Sequence, residues 1–244
     1  MNNNERIEKI SSWILDYCKF MPKKPNSLVV GISGGIDSSV TSTLCALTGM
    51  KTIVLSMPIR QIKEQHDLSL RHQEWLKKRY DNIEGHLIDL DLVFKTFKNT
   101  LSKFYNEYGM VNSKARLRMV TLYQVAAANN GIVVGTGNKV EDFGVFFFTK
   151  YGDGGVDISP IADCTKTQIW EMGKELKILE DIIKAEPTDG LWLDSRSDAD
   201  QLGMTYKELE EAMKNPKDKN YEKYMRIRKK GLHKLSIPVC KMDD

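Results

Sequence analysis

Ser27-Leu28-Val29-Val30-Gly31-Ile32, followed directly by Ser33-Gly34-Gly35-Ile36-Asp37-Ser38-Ser39, is the stretch that decides the fold. The first six residues form a short continuous apolar run, the pattern of a strand buried on both faces of a parallel sheet. A Ser-Gly-Gly turn comes next, and a helix begins near Ile36 and runs to Leu47. Gly34 and Gly35 permit positive φ and close backbone approach. Ser33, Ser38 and Ser39 offer hydroxyls, and a helix N-terminus offers unpaired N–H groups and partial positive charge. Together these make an anion cradle. A strand–helix turn with serine caps and no ligand is the plainer alternative.

Asp37 is the unusual member of the cradle. A carboxylate facing an anion such as phosphate is repelled unless a cation lies between them, so Asp37 calls for Mg²⁺. The chain has no GxxxxGK[ST] string and no GxGxxG after a strand, which excludes a Walker A loop and gives no support to a Rossmann dinucleotide site.

Outward from this stretch the chain alternates. Glu5 to Phe20 has helical apolar spacing at Ile7, Ile10, Trp13, Ile14 and Tyr17. Further strands are expected at Lys51–Met57, His86–Leu92 and Gly131–Gly135. Helices are expected at 61–79, 93–108, 113–129, 165–176, 206–214 and 221–230. Residues 137–160 and 187–203 read as loop or mixed segments, rich in Gly and Asp. This alternation predicts an α/β fold: an open, mostly parallel, doubly wound sheet with helices on both faces. Ligands in such sheets sit at the carboxyl ends of the strands. One domain over residues 1–244 is expected, with a C-terminal helical tail from 204 to 244.

Composition narrows the class. Charged residues make up 28% and the net charge is +3, too little for bulk nucleic-acid or membrane binding. No apolar run reaches membrane-spanning length and the N-terminus has no secretory pattern, so a cytoplasmic protein is expected. The four cysteines form no CxxC and the four histidines no ligand cluster, which argues against zinc or redox chemistry.

The second informative stretch runs Val133-Val134-Gly135-Thr136-Gly137-Asn138-Lys139-Val140-Glu141 and on through Phe148-Thr149-Lys150-Tyr151-Gly152-Asp153-Gly154-Gly155 to Asp157, Pro160 and Thr165-Lys166. Ser33–Ser38 is similar to the PP-loop of N-type ATP pyrophosphatases, which cleave ATP between the α and β phosphates. The later stretch resembles the ammonia-dependent NAD synthetase family. So do Asn112–Arg116, Glu186-Pro187-Thr188 and His233-Lys234, and the resemblance covers nearly the whole chain. It implies an adenine nucleotide alpha hydrolase-like fold. It also implies a reaction in which ATP adenylates the nicotinate carboxylate of deamido-NAD and ammonia then displaces AMP. The same chemistry on nicotinate mononucleotide is the alternative acceptor reading.

The resemblance also distributes roles. ATP would be held by Gly31, Ile32, Ser33, Gly34, Gly35, Ile36, Asp37, Ser38, Ser39, Thr136, Lys166 and Thr188. Magnesium would be held by Asp37 and Glu141. Asp37, Lys150 and Lys166 would be catalytic. Arg116, Lys150, Asp157, His233 and Lys234 would bind the nicotinate nucleotide. Each has a plainer reading: a solvated loop carboxylate for Glu141, surface ammonium groups for the lysines, caps or turns for Thr136 and Thr188, and a turn Asp before Pro160 for Asp157. Arg118 reads as solvated basic surface. Phe146–Phe148 read as core or interface. The resemblance further implies a homodimer, with helices 93–108 and 113–129 as the expected interface. Free ammonia is the expected nitrogen donor, because the chain is short for an added glutaminase domain. Residues 187–203 are expected to act as a lid, disordered without ligand.

Two other classes compete. A tRNA-modifying pyrophosphatase would want a CxxC pair or a basic extension. A non-catalytic ATP-binding module would have no need of Asp37 and Glu141 together.

Overall fold

The computed structural model describes residues 1–60, 63–188 and 197–242. Its sheet has strands β1 (Ser27–Gly31), β2 (Lys51–Ser56), β3 (Ile83–Leu87) and β4 (Gly131–Val134) in the order β3-β2-β1-β4, all parallel. Ser27 to Val30 are fully enclosed, which explains why this strand reads as an unbroken apolar run and not as an alternating one. An isolated bridge from Ile158 to Val134 extends the β4 edge. Strand order reverses on either side of β1, so the crevice at the carboxyl ends of β1 and β4 is the switch point of the sheet.

Helices α1 (Asn3–Phe20), α2 (Ile36–Leu47), α3 (Lys63–Lys77), α4 (Asp91–Thr100), α5 (Glu107–Ala128) and α6 (Lys166–Glu175) flank the sheet. Leu28 and Val30 of β1 face one way, with Ile14, Val40, Leu44, Ile169 and Met172 from α1, α2 and α6. Val29 faces the other way, with Phe94, Met119 and Leu122 from α4 and α5. Successive strand residues therefore bury on opposite layers, as doubly wound topology requires. The short helices α7 (Glu180–Lys184) and α8 (Asp198–Leu202) precede α9 (Tyr206–Lys214) and α10 (Tyr221–Gly231). The last two pack through Tyr206, Leu209, Ala212 and Tyr224 onto Val140 and Val145 of a π-helical turn, Lys139–Val145.

Four expectations from the sequence need correction. β3 lies at Ile83–Leu87, not His86–Leu92. The alternating pattern after Leu87 is cut short because Asp89 Oδ1 accepts the N–H of Asp91 at 2.8 Å, which turns the chain into α4. The helix expected over 93–108 is broken: α4 stops at Thr100, a 3₁₀ turn spans Ser102–Phe104, and Asn106 then caps α5 by accepting the Gly109 N–H at 2.9 Å. α5 thus starts six residues before Ser113. Residues 187–203 are not all loop, because Ser197 and Asp200 form a reciprocal capping box that starts α8. The lid expectation for 187–203 falls largely on 189–196, and the start of the helix expected at 61 falls on 61 and 62. Both lie outside the described residues.

Candidate active site

The loop after β1 is held in shape by its own residues. Gly34 has φ +93°, and a Cβ there would lie 2.5 Å from the carbonyl oxygen of Gln65, so the turn presses directly on the start of α3. Only glycine accepts both conditions. The serines hold the turn from within. Ser38 Oγ accepts the Ser33 N–H at 3.3 Å, and the Ser38 and Ser39 hydroxyls donate to Gly35 O at 3.0 and 2.9 Å. Gly35 is the N-cap of α2 and makes no side-chain cap bond. The first-turn amides of α2 therefore point at the cavity without an intrahelical acceptor, and they carry the positive end of the helix dipole.

Across the cavity stands a buried cluster from three elements. Asp37 lies in the first turn of α2, Glu141 in the π-helical turn after β4, and Lys166 opens α6. A capping box of Thr165 and Gln168 fixes the start of α6. Lys166 Nζ donates to Asp37 Oδ2 at 2.5 Å and to Glu141 Oε1 at 2.9 Å, with only 3% of its side chain exposed. A lysine in a first helical turn opposes the helix dipole, so these two carboxylates are what hold it there. Burial works against the ammonium of Lys166, but attraction to Asp37 and Glu141 outweighs it and raises its pKa. Burial also raises the Asp37 carboxyl, with Glu141 adding to the rise against the pull of Lys166. Glu141 feels the same burial, yet Lys166 and the Tyr206 hydroxyl bring its pKa below the usual value.

Several residues overlooked at the sequence level complete this cluster. Asn138 is fully buried. Its Nδ2 donates to Asp37 Oδ1 at 3.0 Å, while its Oδ1 accepts the N–H groups of Val140 and Glu141 at 2.9 and 3.1 Å. It clips the β1 loop to the turn that carries Glu141. Tyr206 Oη lies 2.5 Å from Glu141 Oε1 and 2.7 Å from Asp198 Oδ2; a phenol has one proton, so it donates to one carboxylate at a time. Asp142 faces the same cavity, and burial, with Asp153, Glu141 and Asp37 nearby, pushes its carboxyl well above the usual range. Gly137 makes room for it, since a Cβ there would meet Asp142 Oδ2 at 1.8 Å.

One cavity of about 270 Å³ gathers most of the residues named from the sequence. Gly31, Ile32, Ser33, Gly34, Gly35, Ile36, Asp37, Ser38, Thr136, Glu141, Lys166 and Thr188 line it. Ser39 lies behind the wall, fully buried. Arg118, read from the sequence as solvated surface, instead lines the cavity, with Nε donating to Met57 O at 2.9 Å. The missed signal was its place on the stripe of Ala115, Met119 and Leu122, which is the inward face of α5.

Arg116, Lys150, Asp157, His233 and Lys234 do not line this cavity. The first, second and fourth form a chain of contacts elsewhere: Arg116 Nε donates to Lys150 O at 3.2 Å and Lys150 Nζ to His233 O at 3.5 Å. Lys234 donates to the carbonyls of Phe146 and Phe148 at 2.8 and 2.6 Å. Asp157 is engaged with the scaffold, accepting Val133 N–H at 2.7 Å and the Tyr123 hydroxyl at 3.0 Å. Of the three phenylalanines, Phe146 is buried as expected, whereas Phe147 lines the cavity.

A parallel sheet whose switch point holds an uncapped helix N-terminus facing a carboxylate–ammonium cluster defines an α/β protein of the adenine nucleotide alpha hydrolase-like type. Comparison with known proteins narrows this. The NAD synthase family profile matches residues 6–240, and the chain belongs to that family. The NH(3)-dependent NAD(+) synthetase of Carboxydothermus hydrogenoformans is 32% identical over 249 residues, covering 99% of each chain. Among solved structures, an NMN synthetase from Francisella tularensis superposes with a TM-score of 0.90 at 31% identity, covering 99% of both chains. An NH3-dependent NAD synthetase from Campylobacter jejuni gives 0.79 at 25% identity, covering 99% of this chain and 100% of that one.

Proposed function

We propose that this chain is a C–N bond-forming ligase that uses ATP to amidate the nicotinate carboxylate of deamido-NAD with ammonia, giving NAD, AMP and pyrophosphate. The observation that carries the reading is the pairing, in one cavity, of the open α2 N-terminus with the Asp37–Lys166–Glu141 cluster. In the first step a carboxylate oxygen bonds to the α-phosphorus while the bond from that phosphorus to the bridging oxygen of pyrophosphate breaks. In the second step ammonia bonds to the acyl carbon, the carbon–oxygen bond to AMP breaks, and a proton leaves the nitrogen.

The work of the chain in this scheme is positional and electrostatic. The α2 amides and the loop from Gly31 to Ser38, braced from behind by Ser39, bind the phosphates, with Thr136 and Thr188 on the cavity wall beside them. Lys166 stabilises charge building on the leaving group. Asp37 and Glu141 fit Mg²⁺: they are hard oxygen ligands, and one ammonium leaves the pair net negative. Mg²⁺ is commonly held by one or two carboxylates completed by phosphate and water. When bound it neutralises charge on the departing pyrophosphate. Arg116, Lys150, His233 and Lys234, which do not line the ATP cavity itself although Lys234 lies close to its Asp142 and Asp153, are assigned to the nicotinate nucleotide, with Asp157 bracing the β4 end of that region.

A homodimer is part of this reading. Leu92, Val93, Phe104, Tyr105, Tyr108 and Val120 of the α4–α5 region are all exposed, which suits a covered face. Four free thiols suit a reducing, cytoplasmic setting, and among the described residues no helix is long and apolar enough to cross a membrane. The close superposition on an NMN synthetase favours nicotinate mononucleotide as the second reading. Pyrophosphate release from Mg-ATP and ammonium, measured with each acceptor and with glutamine replacing ammonium, separates the readings. Faster release with deamido-NAD supports the main one. Release that depends on neither acceptor defeats both.

A further inference from the structure

Tyr206 belongs to α9, in the C-terminal helices, yet it touches the cluster that faces ATP. Thr205 and Glu208 cap the start of α9 reciprocally, so the first residue of that helix is fixed in place. The Tyr206 ring is buried at 8% exposure, meets Trp170 edge-on at 5.9 Å, and has Lys166 Nζ 4.8 Å from its centroid. Its hydroxyl stands between Glu141 and Asp198. The backbone N–H of Asp198 donates to Pro187 O at 3.1 Å, so the same residue that meets Tyr206 also holds the backbone next to Thr188 on the cavity wall.

When the Tyr206 hydroxyl donates to Glu141, Oε1 is held by two donors, Lys166 at 2.9 Å and Tyr206 at 2.5 Å. Two donors on one oxygen fix the rotation of a carboxylate as well as its position, and leave Oε2 as the oxygen it can offer. Lys166 alone cannot do this, because a single donor to Oε1 leaves the carboxylate free to rotate about that contact. We propose that Tyr206 is a positioning residue for the ligase reaction: its hydroxyl, donated to Glu141, sets the orientation in which Glu141 receives the magnesium of Mg-ATP, and Asp198, whose N–H holds Pro187 on the cavity wall, is the acceptor that competes for that proton. The proposal rests on the functional reading above for the identity of the metal–nucleotide complex.

Tyr206→Phe keeps the ring against Trp170 and removes only the hydroxyl. Binding of Mn²⁺-ATP, measured by calorimetry with no acceptor present, is expected to weaken roughly tenfold, the scale of one lost hydrogen bond to a charged group. In turnover, half-saturation by Mg²⁺ is expected to rise by a similar factor, with the KM for ammonium unchanged and the melting temperature within a few degrees of the parent. A merely structural tyrosine would lower stability and leave Mn²⁺-ATP binding as in the parent, and that result overturns the proposal. Should Tyr206→Phe fail to fold, Asp198→Asn carries the test: a neutral amide competes less than a carboxylate for the single phenol proton, so Mn²⁺-ATP is expected to bind at least as tightly as in the parent, and weaker binding overturns the proposal. A parent protein that releases no pyrophosphate with either acceptor would defeat the functional reading, and the Mn²⁺-ATP titration would still decide the role of Tyr206.

Discussion

Replacing Lys166 by methionine removes the ammonium that bridges Asp37 and Glu141 and keeps a side chain of similar length. The two carboxylates are 17% and 16% exposed, too buried for water to take over the lysine's role. Removing one partner from a buried ion pair costs about 3–5 kcal/mol, because the charge left behind is uncompensated. The chain has 244 residues, and for domains of this size each kcal/mol moves the melting temperature by about 2–4 °C. Lys166→Met is therefore expected to melt roughly 6–20 °C below the parent in EDTA. Scanning calorimetry with and without Mg²⁺ is the assay. Part of the loss is expected to return with Mg²⁺, since a divalent cation replaces the missing charge between the carboxylates. Pyrophosphate release is expected to fall about 100-fold or more, as when one preorganised transition-state donor is lost. A variant that melts within about 2 °C of the parent in EDTA would refute the reasoning, because the cluster would then owe nothing to its cation.

Gly34→Ala places a Cβ 2.5 Å from a backbone carbonyl at φ +93°; a destabilisation of about 1–3 kcal/mol and weakened ATP binding are expected, read by urea unfolding and nucleotide titration. Asn138→Ala uncaps the π-helical turn and frees Asp37 Oδ1. It should cost about 0.5–2 kcal/mol, with activity lost beyond what unfolding at the assay temperature explains. His72 is fully enclosed and burial lowers its pKa to about 4, so the folded state resists a proton that the unfolded state accepts. Stability from this site is intact above the unfolded value near 6.5 and falls by about 3 kcal/mol as pH drops from there to 4; urea midpoints across that window should show the slope, and His72→Asn should flatten it.

The sheet was legible because its central strand is enclosed on both faces, so Ser27–Ile32 needed no partner to be recognised. The edge strand was displaced by several residues because Glu84 and Gly85 carry little β pattern, while Ile88, Leu90 and Leu92 mimic it across the turn into α4. Loop residues of the site were legible for a similar local reason: Gly34 and Asp37 are chemically odd within one short string. Tyr206 and Asn138 were not, because their significance lies in Glu141 and Asp37, 65 and 101 residues away in sequence. No periodicity reports such a contact. Arg118 was misread because a basic residue beside Lys114 and Arg116 looks like surface, although its apolar neighbours one turn away mark the inward face.

The central claim is that the chain adenylates a nicotinate carboxylate. Oxygen transfer tests it most directly. Deamido-NAD labelled with ¹⁸O in both carboxylate oxygens is turned over with Mg-ATP and ammonium, and the products are weighed by mass spectrometry. An acyl adenylate predicts one ¹⁸O in AMP, one retained in the carboxamide, and none in pyrophosphate. Label in inorganic phosphate alongside ADP, or AMP without label, would contradict the account.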